Sequence, residues 1–227
     1  MFRGRPEPIL PHPPNDPEDG MTVIAPIITT EVRRATPDEL PRLAHVLARA
    51  FADDPVTYYF FPDARKRPAQ LPRFFGDLFL ARMALGRDEI YTDDRVRGIA
   101  SWTPPGLGHT STADMVRLMP RMAALFGRGL PRALRGLSFM EAHFPAEPHW
   151  HLPFLGVDPA AQGLGIGSSL MSPILERCDS EGVPAYLEAS TTRSRALYLR
   201  HGFVVLDEMR LPGDGPPLWR MWREPVG

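Results

Sequence analysis

The stretch that most constrains this chain is "VDPAAQGLGIGSSL", Val157–Leu170. Gly163, Gly165 and Gly167 stand at every second position, after Pro159 and Gln162, and an apolar run follows them. Upstream, "HWHLPFLGV" reads as a strand with bulky residues on both faces, which suits burial inside a sheet. Downstream, the pattern predicts a helix from about Gly167 to Glu181, closed by Gly182. Such a turn admits two readings. One is a flexible strand–helix connection. The other is a cradle whose backbone N–H groups converge on an anion, aided by the free donors and positive dipole end of a helix. Glycine lets the main chain approach that anion without a Cβ in the way. A pyrophosphate suits such a cradle.

Three pyrophosphate patterns compete. The triphosphate loop needs Lys and then Ser or Thr at the helix start, and here Ser168 and Ser169 follow Gly167 directly. The dinucleotide fingerprint G-x-G-x-x-G/A fails at Ser168 when counted from Gly163 and at Leu170 when counted from Gly165. The pattern Q/R-x-x-G-x-G/A fits Gln162, Gly165 and Gly167 without gaps.

The rest of the chain alternates strands and helices. "TEVRRA" predicts a first strand. Thr36 as N-cap, Pro37 at the first helical position and Glu39 as capping-box partner open a helix with Leu40, Leu43, Leu47 and Phe51 on one face. "ADDPVTYYFFPD" is a loop with a short helical turn. A second amphipathic helix carries Leu71, Phe74, Phe75, Leu78, Phe79 and Arg82. Ile90 to Trp102 predicts a β-hairpin around an Asp-Asp turn. Residues 112–142 predict short helices broken near Gly127 and Gly129. Pro153 removes one ladder donor, so an edge, bulge or opening is expected there. "PAYLEAS", "RSRALYLR", "FVVLDEMRL" and "LWRMWRE" complete the chain as strand, helix, strand, strand. The fold class is mixed α/β.

Composition narrows the function. A chain of 227 residues with 43% hydrophobic residues can build one sizeable core. A formal net charge of −1 argues against a nucleic-acid partner, and charged residues interrupt every apolar run short of a membrane span. The N-terminus has no apolar run of the secretory kind, and the single Cys178 excludes an internal disulfide framework, so a cytoplasmic location is expected. Residues 1–29 read as a Pro-rich disordered tail, with Met21 as an alternative start, and residues 30–227 as one domain. His149 and His151 share a strand face, but two ligands without a third do not define a metal site; both read as structural or pocket-lining.

With the loop, "LGVDPAAQGLGIG" and "YLEASTTRSRALYLRHGF" resemble, in order, the coenzyme A loop and following segment of the GNAT N-acetyltransferase superfamily. "AFADDP", "WTPPG", "PRMAAL", "EPHW" and "GVPAYLEAS" are similar to stretches of the puromycin N-acetyltransferase group, from about Glu31 onward. The resemblance implies a central, mostly antiparallel twisted sheet, splayed between its fourth and fifth strands, with helices on both faces. It implies direct attack of an amine on the thioester of acetyl-coenzyme A, with positioning supplying much of the rate. Leu155, Gly156 and Val157 would supply the oxyanion donor and pair with the pantetheine arm. Gln162, Gly163, Leu164, Gly165, Ile166, Gly167 and Ser168 would hold the pyrophosphate. Ser194, shorter than the Asn that the family often has there, would add a coenzyme contact.

Tyr198 matches the family's acid for the leaving thiolate; the alternative is a helix tyrosine that only packs. Glu188, between Leu187 and Ala189, is either the base for the amine or a solvated carboxylate on a sheet face. Asp53, Asp54, Tyr58 and Tyr59, with Trp102 and Trp150, are candidates to line a pocket for a cationic, partly aromatic amine; the alternative is core packing. Cys178 reads as core, and Pro173 predicts a kink or a distorted start in the loop helix. The expected partner is a small-molecule amine, with the protein a monomer or homodimer. An acyl-coenzyme A sensor and a protein N-acetyltransferase remain as rival readings.

Overall fold

The computed structural model describes residues 31–84, 88–108 and 112–227, with the side chains of residues 78–84 and 112 left aside. The expected tail, and the assignments of Leu78, Phe79 and Arg82 to a helix face, lie outside what is described. The strands are β1 (Val32–Arg34), β2 (Glu89–Asp93), β3 (Gly98–Thr103), β4 (Trp150–Val157), β5 (Ala185–Ala189), β6 (Val204–Arg210) and β7 (Pro217–Arg223). The helices are α1 (Leu40–Ala50), α2 (Pro55–Phe60), α3 (Arg67–Ala84), α4 (Thr112–Phe126), α5 (Leu130–Ala142), α6 (Ile166–Glu181) and α7 (Thr192–Arg200).

Local signals explain most boundaries. Glu39 accepts from the Thr36 N–H at 2.9 Å and is gripped by both Arg33 guanidinium nitrogens, so the chain turns through a 3-10 segment, Pro37–Glu39, into α1. Leu40, Leu43 and Leu47 then face inward. The β2–β3 turn is closed by the buried Asp93 carboxylate, which accepts from the N–H groups of Arg97 and Gly98. Gly127–Gly129 forms a 3-10 link between α4 and α5.

The strands form one sheet in the order β1-β2-β3-β4-β5-β7-β6, antiparallel except between β4 and β5. One face packs Ala100, Trp102, Trp150, Leu152, Leu187 and Met221 against Ile166, Leu170, Met171, Ile174 and Cys178 of α6. The other packs Ile90 and Ile99 against Leu43 and Leu47 of α1 and Leu71 and Phe75 of α3, with Phe126 and Ala133 from α4 and α5. Among the described residues, no helix is long and apolar enough to cross a membrane.

The parallel pair is brief. β4 and β5 match only at Trp150↔Ala185 and His151↔Tyr186. Pro153, which cannot donate, lies two residues further on, and the β3–β4 register shifts at the same level, between Ser101 and Thr103. From Leu152 to Val157 the edge of β4 facing β5 has no strand partner among the described residues. The sheet therefore opens between its fourth and fifth strands.

Candidate active site

The glycine loop lies at the far end of that opening. Asp158 caps the turn Pro159–Ala161 by accepting from the Ala160 N–H at 3.1 Å, and Arg49 of α1 donates to the same carboxylate. The Gln162 side-chain amide donates to the Val157 carbonyl at 3.1 Å, which ties the loop back to the end of β4. Gly163 and Gly165 sit in the left-handed region, at φ +84° and +80°, and a Cβ added at either meets nothing within 4 Å among the described residues. Gly165 is the N-cap of α6 and no side chain caps that end. The first-turn N–H groups of α6 thus reach outward without a side-chain acceptor, beside open space, and this can hold an anion. Leu164 is exposed at the loop tip and Ile166 is buried as an anchor.

Helix α6 runs unbroken through Pro173. The irregular backbone is at its start, in the glycines. Gly156 has a packing reason of its own: a Cβ there would stand 2.5 Å from Leu47 Cδ2 and 3.1 Å from Ala50 Cβ. Ser194 is engaged in the cap of α7, donating to the Thr191 carbonyl at 3.0 Å and accepting from the Thr191 N–H at 3.2 Å. That use accounts for its presence without a coenzyme contact.

At the near end of the opening, Glu188 faces His151. Their Oε2 and Nε2 atoms are 3.0 Å apart, and their side chains are only 8% and 13% exposed. Burial by itself would raise the Glu188 carboxyl. The charge and hydrogen bond of His151, with Tyr186 and His149 behind, outweigh burial and hold it below its ordinary value. Glu188 is therefore ionised and accepts, and His151 donates. Phe144 and Tyr186 pack edge-on and tilted against the His151 ring. The Glu188 carboxylate is thus buried and paired rather than solvated on a sheet face. Both histidines lie in this cluster, and His151 is the functional candidate that residue type and spacing do not single out. Its signal is the pairing register, which places it one strand away from Glu188.

Tyr198 lies on α7, 7% exposed, and packs 6.0 Å from the Phe203 ring. Burial, and then the charge of Asp54, push its phenol well above the ordinary value, so it holds its proton through the neutral range. Asp54 reaches this region from α2. It is 8% exposed, caps α2 by accepting from Val56 N at 2.8 Å, and pairs through its other oxygen with the Ser190 hydroxyl at the end of β5. Burial raises its carboxyl against those hydrogen bonds.

The remaining pocket candidates separate. Asp53 turns outward and accepts from the Tyr58 hydroxyl at 2.9 Å, while Arg67 lies over the Tyr58 ring. Both belong to an outer surface. Tyr59 packs on Phe60 and beside Met209, Leu211 and Leu218. Trp102 and Trp150 are corrections: at 0% and 1% exposure they are core under α6, on the sheet face opposite Glu188. Their bulk fills the layer between sheet and helix. Cys178 is likewise core, with burial pushing its thiol up to about 12.

Residues 129–203 match the acetyltransferase (GNAT) family. Over 206 residues the chain is 29% identical to an uncharacterized N-acetyltransferase of Schizosaccharomyces pombe, covering 85% of this chain and 83% of that one. A crystal structure from Corynebacterium glutamicum, described as histone acetyltransferase HPA2 and related acetyltransferase, superposes with a TM-score of 0.67 at 28% identity, over 87% of this chain and 97% of that one. The polyamine N-acetyltransferase of Drosophila melanogaster shares the fold at 17% identity, with a TM-score of 0.56 over 86% of this chain and 99% of that one. The chain is thus similar to GNAT N-acetyltransferases in sequence over residues 129–203 and in fold over most of its length.

Proposed function

We propose that the protein transfers the acetyl group of acetyl-coenzyme A directly to an amine of a small molecule. The observation that carries this reading is the sheet opening, with the buried His151–Glu188 pair at one end and the glycine cradle at the other. The residues fit the coenzyme. The uncapped start of α6 and the open space over Gly163 and Gly165 suit its pyrophosphate, and the unpaired edge of β4 suits its extended arm. When bound, acetyl-coenzyme A supplies the activated acetyl thioester.

The chain's own residues do the rest. The amine must lose a proton to attack, and ionised Glu188 draws the Nε2 proton of His151, leaving the opposite ring nitrogen to accept from the amine. Backbone N–H groups of Leu155–Val157 stabilise negative charge on the acetyl oxygen. Tyr198, kept protonated by burial, donates to the departing sulfur. Asp54 joins α2 to the end of β5 through Ser190 and so closes the acceptor side of the opening. The buried carboxylates and the rings of Phe144 and Tyr186 suit an amine that is cationic in solution and carries an apolar or aromatic part. An aminonucleoside, which the resemblance to the puromycin N-acetyltransferase group suggests, falls in this class.

The test is thiol release from acetyl-coenzyme A across aminonucleosides, polyamines, arylamines, aminoglycosides and peptides with free N-termini. Turnover with one of the small amines is expected. Binding without turnover on any of them would indicate a sensor, and turnover on peptides alone would indicate a protein acetyltransferase.

A further inference from the structure

His201 is the residue at this site that the mechanism above leaves unused. It lies at the C-terminal end of α7, where its ring reaches across to α6: Nε2 stands 2.9 Å from the Ser168 hydroxyl. Ser168 is in the first turn of α6, next to the outward-facing N–H groups. We propose that His201, acting through the Ser168 hydroxyl, couples the docking of the coenzyme's pyrophosphate to the uptake of a proton. The inference rests on the reading of the glycine loop as the coenzyme cradle.

The chemistry follows from donor and acceptor counting. An anion at the start of α6 needs donors, so the Ser168 O–H points to it. The Ser168 oxygen must then accept from behind, and His201 Nε2–H is placed to donate. A protonated imidazole carries a hydrogen on both ring nitrogens and always does this; a neutral one does it only with the proton on Nε2.

The charges around His201 bias the resting state the other way. On α7, Arg200 adjoins it; from β7, the Arg223 Nε donates to the His201 carbonyl at 3.0 Å. Arg223 is itself held by Asp179 of α6 through both guanidinium nitrogens. Burial, then Arg200 and Arg223, lower the His201 pKa below its ordinary value. An incoming pyrophosphate carries negative charge and raises that pKa again. Between the two values, binding takes up a proton. The added affinity is fully present at acid pH and is lost as the pH rises through the pKa of the complex.

The test is calorimetric titration of the full chain with acetyl-coenzyme A at about pH 6 and about pH 8, each in buffers of different ionisation enthalpy, which reads protons directly. Dephospho-acetyl-coenzyme A is titrated in parallel, since it lacks the 3′-phosphate whose own ionisation falls near pH 6. Wild type should bind this probe about three- to tenfold more tightly at the lower pH, with net proton uptake. His201→Gln keeps a side-chain N–H donor without a titrating group. It should bind within about threefold of wild type at the higher pH, and lose both the tightening and the uptake. Ser168→Ala should lose them too, and stands in if the glutamine variant does not fold. Undiminished proton uptake in either folded variant overturns the proposal while leaving the cradle intact. A folded wild type that binds neither probe at either pH overturns the cradle reading, and the proposal with it.

Discussion

His151 Nε2 lies 3.0 Å from Glu188 Oε2 across the point where β4 and β5 stop pairing. The pair is almost fully covered, yet it borders the break in the parallel ladder. A buried carboxylate–imidazole pair beside unpaired backbone is the first target for mutation. Glu188→Gln keeps the shape and removes the charge; His151→Ala removes the ring. Each should lower kcat on the order of 100-fold, the size of a lost general base, with acetyl-coenzyme A affinity little changed. Thiol-release kinetics beside calorimetric binding checks this. Wild-type turnover in both variants would remove the dyad from the mechanism.

Tyr198→Phe should lower kcat at least about tenfold and leave acetyl-coenzyme A binding intact. The pH profile gives a second reading. Burial and the Asp54 charge hold the phenol up, so the alkaline limb of kcat belongs well above neutrality. Asp54→Asn removes the negative charge that favours the protonated phenol. The limb should therefore move to lower pH in that variant, and an unmoved limb would separate Asp54 from Tyr198.

The glycines fail for different reasons, and stability against binding tells them apart. Gly156→Ala puts a Cβ 2.5 Å from Leu47 Cδ2. It should cost about 1–3 kcal/mol of stability through overpacking between β4 and α1, seen as a lower Tm. Gly163→Ala meets no atom but must hold φ +84°. That costs roughly 1–2 kcal/mol of backbone strain, and the loop can relieve it by leaving its cradle shape. Weakened acetyl-coenzyme A binding with a nearly normal Tm is the expected result.

Acid should loosen the first helix early. Arg33, then the Thr36 N–H, outweigh desolvation and hold the Glu39 carboxyl down at about 2, against an ordinary 4.5. A depressed folded pKa means that this contribution is complete above about pH 4.5 and disappears as the pH falls toward 2. Glu39→Gln lacks it at every pH. Urea unfolding measured down that window should show the variant's stability falling less steeply than the wild type's, and parallel curves would contradict the assignment.

Much of this molecule is legible in its residues alone. Helix α1 follows from Thr36, Glu39 and the spacing of Leu40, Leu43 and Leu47, all within one short segment. The glycine loop follows from Gln162, Gly165 and Gly167, because turn chemistry is set by neighbouring residues. Pro153 marks the opening of the sheet for the same reason: a missing N–H is a local fact. The pocket is not legible in this way. Trp102 and Trp150 have the residue type of pocket walls and are core, since which face of a buried strand meets α6 depends on register rather than on residue type.

By itself, the sequence determined the order of strands and helices, the anion-cradle pattern and the candidacy of Tyr198 and Glu188. Only the tertiary structure decided that Glu188 has His151 for a partner, that Asp54 meets Ser190 from 136 residues away, and that Arg49 braces Asp158 from 109 away. Helix periodicity and turn conformation are fixed by contacts within a few residues, so they leave a readable trace. Charge pairs between strands depend on how the sheet is ordered and where its ladder breaks, and that is settled only when distant apolar faces pack together.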